Sequence, residues 1–200
     1  MVFPKKEYEF LKDNAHLQEG FESSAKEHNY VFDEERNLSL SFVTAHCDLG
    51  GLCTDAKWRP LICKFYPLYP VISPADGSVA SYTYGSIIDQ YWDALNVEHP
   101  CWLFRNHAKD MDEAINDSAA SLMQHPYIVF YFGAANIFVN HVTARAKADL
   151  LQAPTTDPRK FFRDWELSYL MGQLVDSQQL RTDLTKLYDE IAERVGAFEI

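Results

Sequence analysis

The sequence predicts a mainly α-helical protein with a small antiparallel β-hairpin next to an irregular cysteine-rich loop. Leu180, Leu184, Leu187, Ile191 and Val195 recur at helical spacing and make one apolar face. Tyr127 to Val139, YIVFYFGAANIFV, is apolar almost throughout, as a buried helix is. Asp76-Gly77 is a strong turn signal with β-prone residues on either side, which predicts the hairpin.

Taken in order, residues 5 to about 27 read as a helix, with Pro4 where a first helical residue is tolerated. Tyr8, Leu11, Ala15 and Leu17 form its loose apolar stripe. Gly20 weakens the pattern, so two shorter helices are the alternative. Leu38 to Val43, LSLSFV, alternates as a short strand does. The cysteine loop occupies residues 46–70, and the hairpin is expected over Val71 to Tyr84. From Ser86 to about Val97 a helix is expected, with Ser86 and Asp89 in capping-box-like spacing. His99-Pro100 should end it. Another helix is read from Asn106 to about Gln124, and His125-Pro126 starts a long one that runs to about Leu151.

Ala153-Pro154 through Asp157-Pro158 reads as a short linker, with Asp157 placed to cap a helix that ends near Gly172. The last helix runs from about Gln173 to Val195, and Gly196 is its stop signal. No internal repeat, low-complexity tract or composition shift marks a boundary. The expectation is one domain over residues 1–200, with the metal loop at 46–70 and a helical body at 86–196.

Composition narrows the function classes. Apolar residues at 47% are enough for a sizeable core, and 11 Tyr and 13 Phe point to a bulky one. The net charge of −11 lacks the basic footprint that nucleic acids and anionic membrane surfaces require, so neither is expected as a partner. The start, MVFPKKEYEFLKDN, has no apolar run of secretory-leader length, and Asn136 interrupts a 127–139 run already too short to span a bilayer. The expected location is therefore cytoplasmic. Thiols stay reduced there, which favours metal binding or catalysis over disulfides.

The stretch from His46 to Pro70, HCDLGGLCTDAKWRPLICKFYPLYP, holds three of the four cysteines. The spacing is Cys47-x5-Cys53-x9-Cys63, with Cys101 downstream. Four thiolates suit Zn²⁺ or an iron–sulfur cluster, and His46 is a substitute for the fourth donor. Gly50-Gly51 allows a sharp turn between the first two ligands, and Pro60, Pro67 and Pro70 stiffen the loop. Arg59 can offset the negative charge of a thiolate site or hold a carboxylate. Widely spaced cysteines on irregular chain tilt the choice toward iron–sulfur over zinc, because structural zinc favours close Cys-x2-Cys pairs. The bland alternative is four small buried hydrophobic side chains.

Cys53, Arg59-Pro60, Cys63 and Tyr66-Pro67 fall in the order cysteine, Arg-Pro, cysteine, aromatic-Pro. This resembles the YkgJ-type zinc- or iron-chelating cysteine-cluster family, with Cys47 matching the preceding family cysteine across a shorter spacer. The likeness covers about residues 46–70, and a flagellin lysine N-methylase-like segment is a weaker similarity. Members of the YkgJ-type family usually carry a Cys-x2-Cys-Cys-like group near the N-terminus, and here no cysteine precedes Cys47. The resemblance implies a chelating site but supports no role for Cys101.

The first functional expectation is thus a metal-binding protein using Cys47, Cys53, Cys63 and Cys101, as a structural staple or as an accessory subunit of a modification or redox pathway with a partner protein. The second is an enzyme on a small molecule or protein side chain, its pocket walled by the Tyr127 to Val139 helix and the hairpin. A metal-free helical partner-binding protein is the third. Other candidates are thinner. His99 and His107 flank Cys101, Asp110, Asp112 and Glu113 form an acidic group, and His141 and Arg145 lie one helical turn apart, as an anion site would need. No dinucleotide fingerprint, P-loop, Gly-x-Ser-x-Gly or His-Glu-x-x-His motif is present.

Overall fold

The computed structural model describes residues 2–14, 19–46, 58–66, 68–84, 106, 119–152, 157, 160–161, 164–165 and 178–200. The chain divides into two compact units, Met1–Tyr66 with Ile200, and Pro67–Glu199. Helix dominates, joined by a three-stranded antiparallel sheet in the first unit and a hairpin in the second.

The first unit runs β1 (Val2–Pro4), α1 (Lys5–Asn14), α2 (Glu19–Ser24), β2 (Lys26–Asp33), β3 (Leu38–Thr44) and α3 (Leu61–Phe65). The sheet order is β1-β3-β2, with Phe3 opposite Val43 and His28 opposite Phe42. The strand expected at Leu38 to Val43 is thus the central one. Of the helix expected over residues 5 to about 27 the described helical parts are α1 and α2, and at the end of α1 the Asn14 side-chain amide donates to the Phe10 carbonyl (2.9 Å). The alternative of two shorter helices matches α1 and α2, and β2 takes only the last two residues of the expected helix, the rest of the strand falling where no element was expected. Cross-strand pairing holds β2 in place: the His28 ring stacks on Phe42 (centroids 4.9 Å), and Phe32 is buried. Asp33 closes the β2–β3 turn by accepting from the Arg36 N–H (3.0 Å) and Nε (2.6 Å). Phe3, Tyr8, Leu11, Val43 and Ala45 make the core between sheet and α1, and Trp58 packs against it.

The second unit contains β4 (Leu68–Ile72), β5 (Val79–Tyr84), α4 (Pro126–Gln152) and α5 (Gln178–Val195). β4 and β5 form the expected hairpin, with Leu68 opposite Tyr84 and Ile72 opposite Val79. In its turn Asp76 Oδ1 accepts from the Ser78 N–H (2.9 Å) and Oγ (2.8 Å), and Gly77 takes φ +74°. These bonds, the Ser78 amide's first, hold the Asp76 carboxyl down at about 2. The Arg194 guanidinium lies against Gly77 in the space a side chain there would need. Proline opens α4 as expected, and the His125 carbonyl accepts the amides of Ile128 (3.0 Å) and Val129 (3.1 Å). Asp157 caps the following turn through the Lys160 amide (3.1 Å). Gly196 ends α5 at φ +84°, with its N–H on the Ala192 carbonyl (2.8 Å).

Leu180, Leu184, Leu187 and Ile191 are buried as the helical face requires, while Val195, at the last residue of the helix, is 45% exposed. The helices expected at Ser86 to Val97 and Asn106 to Gln124 lie mostly outside the described residues, as does that from Pro158 to Gly172. Among the described residues no helix is long and apolar enough to cross a membrane.

α4 and α5 approach closely at Gly133. A Cβ there would stand 2.8 and 2.9 Å from the methyl groups of buried Leu187. Gly133→Ala sets this crowding against a helix-propensity gain of about 1 kcal/mol, so the net effect is small. Gly133→Val adds branching and is expected to cost about 1–2 kcal/mol by denaturant unfolding. A neutral result would show that Leu187 moves aside freely.

Candidate metal centre

Of the cysteine stretch over 46–70, residues 46, 58–66 and 68–70 are described, and the middle run carries Arg59 and Cys63. Pro60, buried and extended (φ −53°, ψ 148°), leads into α3, and its carbonyl accepts from the amides of Cys63 (2.9 Å) and Lys64 (3.0 Å). Proline has no side-chain oxygen to cap the first helical amide. Glu7 of α1 does so instead, its Oε1 accepting from the Leu61 N–H at 2.6 Å. Phe65 is buried at the other end of α3, and Trp58 packs near Phe10 (centroids 6.4 Å). Cys63 is therefore a half-buried thiol on a turn tied down at both ends.

Two charged groups at this turn are incompletely satisfied. Glu7 Oε2 and Arg59 Nε are each buried with no hydrogen-bond partner among the described residues. Burial pushes the Glu7 carboxyl up to about 7, against the lowering effect of the Leu61 amide and the Lys64 charge. An arginine donor left unpaired four positions before Cys63 suits a site that gathers negative thiolates.

The remaining predicted ligands, Cys47, Cys53 and Cys101, lie outside the described residues, as do His99, His107, Asp110, Asp112 and Glu113. His46 is exposed at the edge of the described chain, and its backbone N–H donates to Ser24 Oγ (2.7 Å). Among the described residues no three His, Cys, Asp or Glu side chains converge as metal ligands. Of the four cysteines expected as ligands, Cys63 alone lies among the described residues.

His141 and Arg145 do not form a free anion site. His141 Nε2 meets Asp183 Oδ2 on α5 at 2.7 Å, and Arg145 pairs with Asp149 at 3.3 Å. Sequence reading missed Glu7 and the structural role of Asn136. The signal for Glu7 was its place four residues before Leu11, in the row of the helix that enters the core. Asn136 was noticed only as an interruption of an apolar run. It is buried, and its amide donates to the Pro70 carbonyl (2.8 Å), fastening β4 to α4.

No protein-family model matches this chain. No curated protein and no solved structure matches it either.

Proposed function

We propose that this protein binds a metal through the thiolates of Cys47, Cys53, Cys63 and Cys101, as an iron–sulfur cluster in preference to Zn²⁺. The observation that carries the reading is Cys63, half-buried on a turn held by Glu7, Trp58 and Phe65. Arg59 offsets the charge of the thiolates with its unpaired Nε. The short likeness to the YkgJ-type family supports the same assignment. Bound zinc would supply a structural staple, and a bound cluster would add electron transfer. With four protein thiolates and no open position, stapling is the primary role, and an accessory subunit working with a partner protein in the cytoplasm is the form it takes.

Elemental analysis of protein purified without oxygen tests this reading, with an absorption spectrum to separate iron plus sulfide from colourless zinc. Cys53→Ser and Cys63→Ser should each release the metal and lower the melting temperature by about 5 °C or more. Full metal content and an unchanged melting temperature in both variants would overturn the assignment.

A further inference from the structure

The second unit carries a cleft of about 290 Å³ between β4, α4 and α5. Its walls are β4 with Pro74 just after it, one side of α4, and Asp183, Lys186, Leu187 and Glu190 of α5. Ile72, Ile137 and Leu187 give it an apolar lining. Its polar lining includes Asn136, Asp183, Lys186 and Glu190.

The orientation of these groups makes the cleft rich in acceptors. Asn136 is 9% exposed and turns its amide nitrogen to two carbonyls, Pro70 (2.8 Å) and Phe132 (3.0 Å). A flipped amide would set its oxygen against both carbonyl oxygens, so the geometry allows one orientation. The polar atom left to Asn136 is its Oδ1 acceptor. Asp183 is held in place by His141 on Oδ2 (2.7 Å) and Gln179 on Oδ1 (2.8 Å). A carboxylate so oriented still has lone pairs for a ligand. Burial raises the Asp183 carboxyl, but the bonds from His141 and Gln179 and the charges of His141 and Lys186 outweigh it, so the group stays ionised. Lys186, the one lysine or arginine among the described lining residues, is largely exposed and pairs with Glu190 at 3.6 Å. Among the described lining residues the carboxylates of Asp183 and Glu190 outnumber the Lys186 ammonium.

We propose that this cleft binds a small organic cation, a primary amine on a short apolar body, with the ammonium on Asp183 and Asn136 and the body against Ile72, Ile137 and Leu187. Anions are disfavoured because Lys186 stands between two carboxylates, Glu190 at 3.6 Å and Asp183 three residues before it on the same helix. The site lies wholly within Pro67–Glu199 and does not depend on the metal reading.

The test is a titration of the full-length protein with phenethylamine, and with 3-phenylpropionate as the anionic counterpart, followed by amide NMR shifts. Saturable shifts for the amine, confined to residues around 71–74, 133–140 and 183–190, are expected, with none that saturate for the acid. Glu190→Gln should weaken amine binding about five-fold, and Lys186→Ala should strengthen it by a similar factor by removing the competing cation. Asp183→Asn should weaken it further, and the two surface variants decide the matter if that one unfolds. Equal or tighter binding of the acid would overturn the proposal. So would amine shifts spread over the whole acidic surface, or affinities unmoved by both surface variants.

Discussion

Glu7→Gln is expected to stabilise the protein at pH 8 by up to about 3 kcal/mol and to change little at pH 4.5. The wild-type carboxyl titrates at about 7 in the folded chain and has an ordinary value of 4.5. Between those values the folded state binds the extra proton, so wild-type stability falls as pH rises from 4.5 to about 7 and levels off above. Glutamine keeps the Oε1 acceptor that caps Leu61 and removes the buried charge. Its new N–H2 stands where Oε2 already lacks a partner, which trims the gain by about 1 kcal/mol. Urea unfolding of both proteins at pH 4.5, 6 and 8 checks it, because every other titrating group cancels in the difference. Parallel pH dependences for the two would show that Glu7 is solvated or paired in solution.

Phe130→Ala should cost about 3–5 kcal/mol. Phe130 is fully buried in α4 and meets two rings edge-on, Tyr188 and Phe198, each at 6.2 Å. Those two rings stack on each other at 4.7 Å, and the Tyr188 hydroxyl donates to the Phe198 carbonyl (3.1 Å). Gly196 makes this possible by turning the chain back after α5. The variant therefore loses apolar burial and two ring contacts, and the rings around the cavity cannot close it without giving up their own pairing. Phe198→Ala, at a half-buried position, should cost only about 1–2 kcal/mol. Denaturant midpoints for the pair measure the ratio, and equal losses would mean that the cluster does not centre on Phe130.

How much of this could be read in advance depends on how local each cause is. The stripe from Leu180 to Ile191, the Asp76-Gly77 turn, the proline that opens α4 and the glycine that ends α5 are all set by residues within one or two turns of each other. Each was legible. β2 was not, although His28, Tyr30 and Phe32 alternate along it: beyond the helix expected to end at about residue 27 no element was read, and what defines the strand is its pairing with β3, distant from its own local pattern. The anchored turn of the candidate centre was half legible. Cys63 and Arg59 stood out by residue type, but the carboxylate that caps their helix comes from α1, far away in sequence, where only a misplaced polar residue hints at it. Cys47, Cys53 and Cys101 remain a matter of spacing and resemblance.

The placement of the Arg194 guanidinium over Gly77 bears on how the second unit assembles. The two residues are more than half the chain apart. The hairpin strands can zip together on the microsecond scale of local elements. Its turn, however, reaches its final surroundings only when the last turn of α5 arrives, after a long segment has closed. Contacts of such sequence separation slow the folding barrier crossing rather than adding much to equilibrium stability. Shortening Arg194 should therefore show itself chiefly in kinetics, as a change in the refolding or unfolding limb that tells whether this closure precedes the barrier or follows it.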